Sequence, residues 1–210
     1  MSLSLHVCDA RGTLSPFAPA IRDAAEDAWR RASAALPLGP VDLVVRHVPG
    51  WAIPERGHVG YTPTASLIEL TADPALPAFR DHLGESLSRT LAHEFHHAAR
   101  WDGPGYGTTL GEGLVSEGLA CIFAREIYPG PPEPWEAPAP GTDMDALLGR
   151  AVAEWDAPFR LGSRWIGGGD GLPRWAIYAA GTRIAADALA RTGHMAADAV
   201  HMAAAEFRPA

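Results

Sequence analysis

Short apolar or alternating stretches in the first third of the chain predict β-strands. They cover residues 2–7, 41–48 and 57–70, and the last stretch is long enough for two short strands. Pro63 has no amide hydrogen, so its strand is expected at a sheet edge or beside a turn. An edge strand at this position could pair with an extended peptide.

Apolar residues recur at helical spacing through most of the remaining chain. The predicted helices cover residues 15–35, 73–101, 108–126, 142–155, 173–192 and 195–207. Ser15-Pro16 and Asp73-Pro74 mark two of the starts, because a small polar cap followed by proline favours the first helical turn. Residues 129–141 contain too many prolines for a regular element and are expected to form an ordered loop or a lid.

Strands that precede helices in this way are typical of an α+β fold. A length of 210 residues is compatible with one domain, so we expect a single domain over 1–210. Its strand-rich part, 1–72, should form a small mixed or antiparallel sheet with an edge strand at the cleft. The part from 73 to 210 should be mostly helical.

Composition excludes several classes of function. The net charge is −8 and all 17 cationic side chains are arginine, scattered along the chain, which argues against a nucleic-acid partner. No apolar run is long enough for a membrane helix, and the first residues lack a secretory signal, so a cytoplasmic location is expected. Cys8 and Cys121 show no C-x-x-C pattern and are expected to be buried free thiols.

Metal chemistry is indicated by the segment His93-Glu94-Phe95-His96-His97. Residues four apart lie on one helical face, so His93 and His97 can bind one zinc ion. Glu94 is too close in sequence to His93 to be an easy ligand, which leaves it to activate a water molecule. His96 points about 100° away from His97 around the helix and is expected in a supporting or exposed position.

A catalytic zinc ion needs a third protein ligand, and the next predicted helix offers two glutamates. Glu117 follows His97 by 20 residues, which allows a glycine-rich loop and a return helix. Glu112 is the rival, because both residues fall on apolar stripes of that helix. Periodicity does not decide between them.

The segment His93 to His97, followed by Glu117-Gly118-Leu119-Ala120, resembles the gluzincin metallopeptidases. It is similar in more detail to a bacterial family of predicted zinc-dependent proteases that shows H-E-x-H-H, then E-G-L-A, then a late Y-x-x-G. The likeness covers about residues 41–189. It implies a zincin-like fold, one zinc ion per chain held by His93, His97 and Glu117, and hydrolysis of a peptide or protein substrate. Cys121 departs from the thermolysin branch, which has an acidic residue four positions after the ligand glutamate.

The late element of that pattern is Tyr178-Ala179-Ala180-Gly181. The resemblance places a tyrosine on this helix facing the cleft, so Tyr178 is the candidate donor to the oxyanion. The competitors for this role are Tyr61, Tyr106, His58 and His194.

Two other functions remain open. Residues 94–97 read E-x-x-H, the ligand pair of di-iron bundles, but the only partner segment is Asp198 to His201. A zincin-like domain could also bind zinc without catalysing a reaction, although Glu94 argues against it. The main hypothesis is a zinc-dependent peptidase with Glu94 as general base.

Overall fold

A computed structural model describes residues 2–209. The chain divides into two compact units, of which the first ends at Asp102 and the second begins at Gly103. Each unit is described by itself, and a single domain over 1–210 stays a prediction. Within residues 2–209 the chain has four strands and seven α-helices, which confirms the α+β class and the small mixed sheet.

The first unit is built on a four-stranded sheet. Its strands are β1 (Leu3–Cys8), β2 (Val41–His47), β3 (His58–Thr64) and β4 (Leu67–Ala72). The spatial order is β1-β2-β4-β3, with β1, β2 and β4 parallel and β3 antiparallel to β4. Strand β3 therefore lies at an edge of the sheet, as Pro63 predicts.

Three helices complete the first unit. They are α1 (Ala18–Ala35), which follows a 3-10 turn at Ser15–Phe17, α2 (Pro77–Asp81) and α3 (Glu85–Trp101). The rings of Trp29 and Phe95 meet edge to face, with centroids 5.4 Å apart, where α1 packs on α3. Val41, Leu43 and Val45 of β2 are almost fully buried, so β2 presents a continuous apolar row to the core.

The single helix expected over residues 73–101 is wrong, because Asp73 does not cap a helix. Its carboxylate accepts hydrogen bonds from the amides of Gly50 and Ala75, both at 3.1 Å. This local turn ties Asp73 to the loop after β2. The chain then forms the short α2, and α3 begins only after Gly84.

The second unit is helical. It contains α4 (Leu110–Ile127), α5 (Met144–Ala153), α6 (Arg164–Gly167), α7 (Ala176–Thr192) and a 3-10 turn at Ala204–Phe207. Residues 129–141 form no regular element, as their prolines predict. They are nevertheless held to α4, because the buried carboxylate of Glu136 pairs with Arg125 at 3.1 Å.

Two predicted helix starts and one predicted helix in the second unit are wrong. Asp143, rather than Thr142, caps α5 by accepting a hydrogen bond from the amide of Ala146 at 3.0 Å. Helix α7 begins after Trp175, whose φ of 65° breaks the turn opened by Pro173. The last predicted helix, 195–207, is replaced by turns and the 3-10 segment. There the carboxylate of Glu126 binds the amide of Ala196 at 3.1 Å, so tertiary contacts override helix propensity.

Helices α4 and α7 pack through two glycines. A Cβ added at Gly118 would overlap the carbonyl oxygen of Gly181, and one added at Gly181 would overlap the carbonyl oxygen of Leu114. The two backbones are in direct contact at this point. Gly118 belongs to the E-G-L-A segment and Gly181 to the Y-x-x-G segment, so the glycines of both motifs have a packing role.

The two cysteines differ in their environment. Cys121 is buried, as expected, whereas Cys8 is exposed, which corrects the expectation for that residue. Exposure alternates along β1, and Cys8 lies on its solvent side. None of the helices in the described part of the chain combines the length and the apolar character of a bilayer-spanning segment.

Candidate metal centre

Helix α3 brings the imidazoles of His93 and His97 together. The residues are one turn apart, and their Nε2 atoms are 3.0 Å from each other. The ring planes meet at 80°, with centroids 4.7 Å apart. His97 is buried and His93 is half-buried, so two nitrogen ligands converge in a place that is largely shielded from water.

Glu117 on α4 is the third member of this group. One ligand atom from each of His93, His97 and Glu117 lies within 4.8 Å of the others. The Glu117 side chain is buried, and the hydroxyl of Tyr106 donates a hydrogen bond to its Oε1. The side chains that the sequence and the resemblance select as ligands are therefore close together in space.

The donor set fits zinc. Two nitrogens bound to one tetrahedral zinc ion at about 2.0–2.1 Å would be about 3.3 Å apart, close to the 3.0 Å between the two Nε2 atoms. Two imidazoles and one carboxylate are the protein ligands of several catalytic zinc sites, which keep a fourth position open. These residues could hold one zinc ion with a coordination position for water or substrate.

Glu94 is next to His93 in sequence but is not one of the three grouped ligands. It is buried, and its Oε2 accepts a hydrogen bond of 2.6 Å from the hydroxyl of Thr62 on β3. A Cβ at Gly60 would overlap its Cγ and Oε1, so the carboxylate lies directly against the β3 backbone. Glu94 is thus held as a buried carboxylate beside the ligand pair.

Glu112, the rival third ligand, caps α4. Its Oε2 accepts hydrogen bonds from the amides of Thr108 and Thr109 at 2.8 and 2.9 Å. In return, the Thr109 hydroxyl accepts a hydrogen bond from the amide of Glu112. This reciprocal arrangement is a capping box, which satisfies amides that the first helical turn leaves without partners. Its T-x-x-E sequence was a readable signal for this structural role.

Tyr178 lies in the first turn of α7 and is half-buried. Its role as oxyanion donor stays a prediction. The competitors have distinct surroundings. Tyr61 is exposed on β3, Tyr106 binds Glu117, and His194 is exposed after α7.

His58, the remaining competitor, is buried, and its Nε2 lies 3.1 Å from the hydroxyl oxygen of Thr90. Burial is the main cause that lowers the pKa of His58 to about 3, and the charges of His82 and Arg56 contribute to this shift. His58 is therefore a neutral imidazole at neutral pH.

His96 and Cys121, which were not selected as ligands from the sequence, are both buried. His96 is fully buried and does not belong to the group formed by His93, His97 and Glu117. Cys121 is a buried thiol one turn after Glu117.

The segment from Asp198 to His201 is not helical, so it does not provide the second ligand helix that a di-iron bundle needs.

Sequence reasoning missed the contacts made by Thr62, Gly60 and Tyr106. A weak signal was present in β3, where Gly60 and Thr62 occupy alternate positions and therefore lie on one side of the strand. Tyr106 stands between two glycines in the loop before α4, and nothing in that spacing indicates its contact with Glu117.

Comparison with known proteins assigns the chain to a family. No curated protein and no solved structure shows a significant similarity to the chain. A family match extends over residues 23–208, a longer segment than the 41–189 covered by the resemblance. By this match, which covers most of its length, the chain belongs to the family described as "Predicted Zn-dependent protease (DUF2268)".

Proposed function

We propose that this protein is a zinc-dependent peptidase of zincin-like, gluzincin type. In this proposal His93, His97 and Glu117 hold one zinc ion and Glu94 is the general base. The observation that carries it is the close grouping of three ligand atoms, with a second buried carboxylate, that of Glu94, next to His93 in sequence and outside the group. The family description supports the same chemistry.

The composition of the donor set favours catalysis over a structural role. Structural zinc sites are closed by four protein ligands, whereas catalytic sites use three and leave one position open. When bound, zinc supplies Lewis acidity, which acidifies water and polarises a carbonyl group. A buried carboxylate beside the ligands has no use in a structural site.

Glu94 carries the proton through the reaction. Its carboxylate takes a proton from water as the water oxygen forms a bond to the carbonyl carbon of the peptide. It then gives this proton to the departing nitrogen when the C–N bond breaks. The products are a carboxylic acid and an amine, and Glu94 returns to its starting charge.

Tyr106 has a supporting part in this proposal. Its hydroxyl binds Oε1 of Glu117 and so orients the carboxylate within α4. Hydrogen bonds of this kind to a metal ligand fix its orientation and raise its affinity for the ion. Tyr178 remains the proposed donor to the oxygen of the reacting carbonyl.

The remaining expectations follow from the sequence alone. We propose a peptide or protein substrate, no nucleic-acid partner and a cytoplasmic location. Edge strand β3 offers main-chain groups that could align an extended peptide.

The proposal is tested with a mixed peptide library and with metal analysis of the purified protein. We expect one zinc ion per chain and hydrolysis by the wild type. Glu94→Gln should keep the zinc ion and lose at least about 10²-fold in activity, because the amide cannot accept the proton. Glu26→Gln, which changes an exposed glutamate on α1, is the matched control and should keep full activity.

Each alternative has its own outcome in this experiment. Zinc without hydrolysis by the wild type would identify a binding domain. Two iron ions per chain would identify a di-iron protein. Equal activity of the wild type and Glu94→Gln would refute the mechanism.

A further inference from the structure

Polar side chains on one side of strand β3 contact polar side chains of helix α3. His58, Gly60 and Thr62 alternate along β3 and therefore point to one side of the strand. His58 lies 3.1 Å from Thr90, and Thr62 lies 2.6 Å from Glu94, on successive turns of α3. The edge strand β3 thus lies alongside α3, the helix that carries the proposed base.

The Glu94 carboxylate is enclosed from two directions. On one side the backbone of Gly60 is so close that a Cβ there would lie 2.6 Å from Cδ of Glu94. On the other side the Thr62 hydroxyl binds Oε2. The same hydroxyl is 3.2 Å from the backbone oxygen of Glu94, and because it has one proton, the shorter contact to the carboxylate is the stronger hydrogen bond.

Thr62 is itself held in place. Only 4% of its surface is exposed, and its carbonyl oxygen accepts a hydrogen bond of 2.9 Å from the indole of Trp101 at the end of α3. The pairing of β3 with β4 shifts register between Tyr61 and Thr64. Thr62 lies within this irregular segment but stays on the side of β3 that contacts α3.

We infer that Thr62 is a positioning residue, which fixes the Glu94 carboxylate in one orientation while Gly60 leaves space for it. This inference rests on the proposed function. The terminal torsion of a glutamate is broad and poorly fixed by itself, so a hydrogen bond to one oxygen selects the orientation of both. Correct orientation of a reacting group accounts for a large part of enzymatic rate enhancement.

The contact is compatible with the full proton cycle. A proton taken by Glu94 on Oε1 leaves Oε2 as a carbonyl-type acceptor, so the hydrogen bond from Thr62 persists. The Thr62 hydroxyl neither gains nor loses a proton. It acts only through Glu94.

The test compares Thr62→Val with Thr62→Ser in the zinc-loaded full chain. Valine keeps the shape of threonine without the hydroxyl, and serine keeps the hydroxyl. With one fluorogenic peptide chosen from the library, we expect kcat to fall about 10-fold or more in Thr62→Val, since one positioning interaction is lost. KM should stay within about 2-fold, the zinc content should not change, and Thr62→Ser should restore kcat to within about 3-fold of wild type.

Two kinetic results would overturn the inference. One is a kcat for Thr62→Val within about 2-fold of wild type, and the other is an equal loss in Thr62→Ser and Thr62→Val. A loss of zinc or of thermal stability in proportion to activity would assign Thr62 a purely structural role.

Crystal structures of the wild type and both variants make the result independent of hydrolysis. We expect a single Glu94 orientation in the wild type and Thr62→Ser, and a displaced or divided carboxylate in Thr62→Val. An unchanged Glu94 in Thr62→Val would refute the positioning role. If the wild type hydrolyses no peptide, the proposed function fails, while these structures still decide whether Thr62 positions Glu94.

Discussion

Helices α3 and α4 both carry proposed metal ligands, but they contact their neighbouring elements through different kinds of interaction. Polar side chains connect α3 to β3, as in the contact between Thr62 and Glu94. Helix α4 instead meets α7 through the bare backbones of Gly118 and Gly181. The first kind of contact sets the orientation of a reactive group, and the second sets the distance between two helices.

This difference predicts different results of mutation. Removing a hydroxyl from the α3 contact changes few packing interactions, so its main effect should be on chemistry. Adding a methyl group to the α4 contact must separate two backbones, so its main effect should be on folding stability. Variants on each side can break or support this distinction.

Gly118→Ala should have the largest effect on stability. The new Cβ overlaps the carbonyl oxygen of Gly181, which is backbone and cannot rotate away. We expect a loss of about 3 kcal/mol in the free energy of unfolding, or about 6–12 °C in Tm, measured by thermal and urea denaturation.

The matched control is Gly149→Ala in α5, where a Cβ would meet no atom within 4 Å. It should be neutral or stabilise the protein by up to about 1 kcal/mol, because alanine favours helix more than glycine does. Equal stability of both variants would show that α4 and α7 do not need close backbone contact.

The contact between α3 and β3 should also contribute a pH dependence. The pKa of His58 is lowered to about 3 by burial, with His82 and Arg56 adding to the effect. Between this value and the ordinary pKa of about 6.5, the unfolded chain binds a proton that the folded chain does not. The free energy of unfolding should therefore fall as pH decreases through this window, by up to about 1.4 kcal/mol per pH unit, or about 2 kcal/mol at pH 5.

His58→Gln should remove this part of the slope, as measured by urea denaturation from pH 7 to 4.5 in the presence of a chelator. The amide of glutamine can still reach Thr90 but does not titrate. His194→Gln, which removes an exposed histidine, should keep the wild-type slope. The same slope in all three proteins would exclude His58 as its source.

Glu112→Ala should have the smallest effect. It removes the acceptor for the amides of Thr108 and Thr109 and should cost about 1 kcal/mol, or about 2–4 °C in Tm. Zinc affinity should not change in a chelator competition assay, whereas Glu117→Ala should weaken it. Zinc loss in Glu112→Ala with zinc retained in Glu117→Ala would reverse the two assignments.

Much of the fold could be predicted because strands and helices are local patterns. Pro63 indicated an edge strand without any knowledge of the sheet, since a missing amide hydrogen is a property of the residue itself. The predictions failed where a side chain had a distant partner. Asp73 has the signature of a helix cap, but the amide of Gly50 binds its carboxylate, and no sequence window includes both residues.

The candidate site divides in the same way. The spacing of His93 and His97 follows from helix geometry, and so sequence alone selects them. Glu117 needed the resemblance, because helical periodicity left Glu112 as an equal rival. The capping box shows in hindsight that the T-x-x-E pattern already gave Glu112 another role. Thr62 is 32 residues from Glu94, and only the folded sheet brings them together.

The indole of Trp101 has a further consequence for the edge of the sheet. Exposed edge strands promote aggregation, because their unpaired main-chain groups can template a strand of another molecule. Near the end of β3, the indole N–H of Trp101 donates a hydrogen bond to the carbonyl oxygen of Thr62, and Pro63 has no amide hydrogen to donate. Thr62 and Pro63 thus offer fewer free main-chain groups to another chain, and we expect this to disfavour strand pairing between copies of the protein.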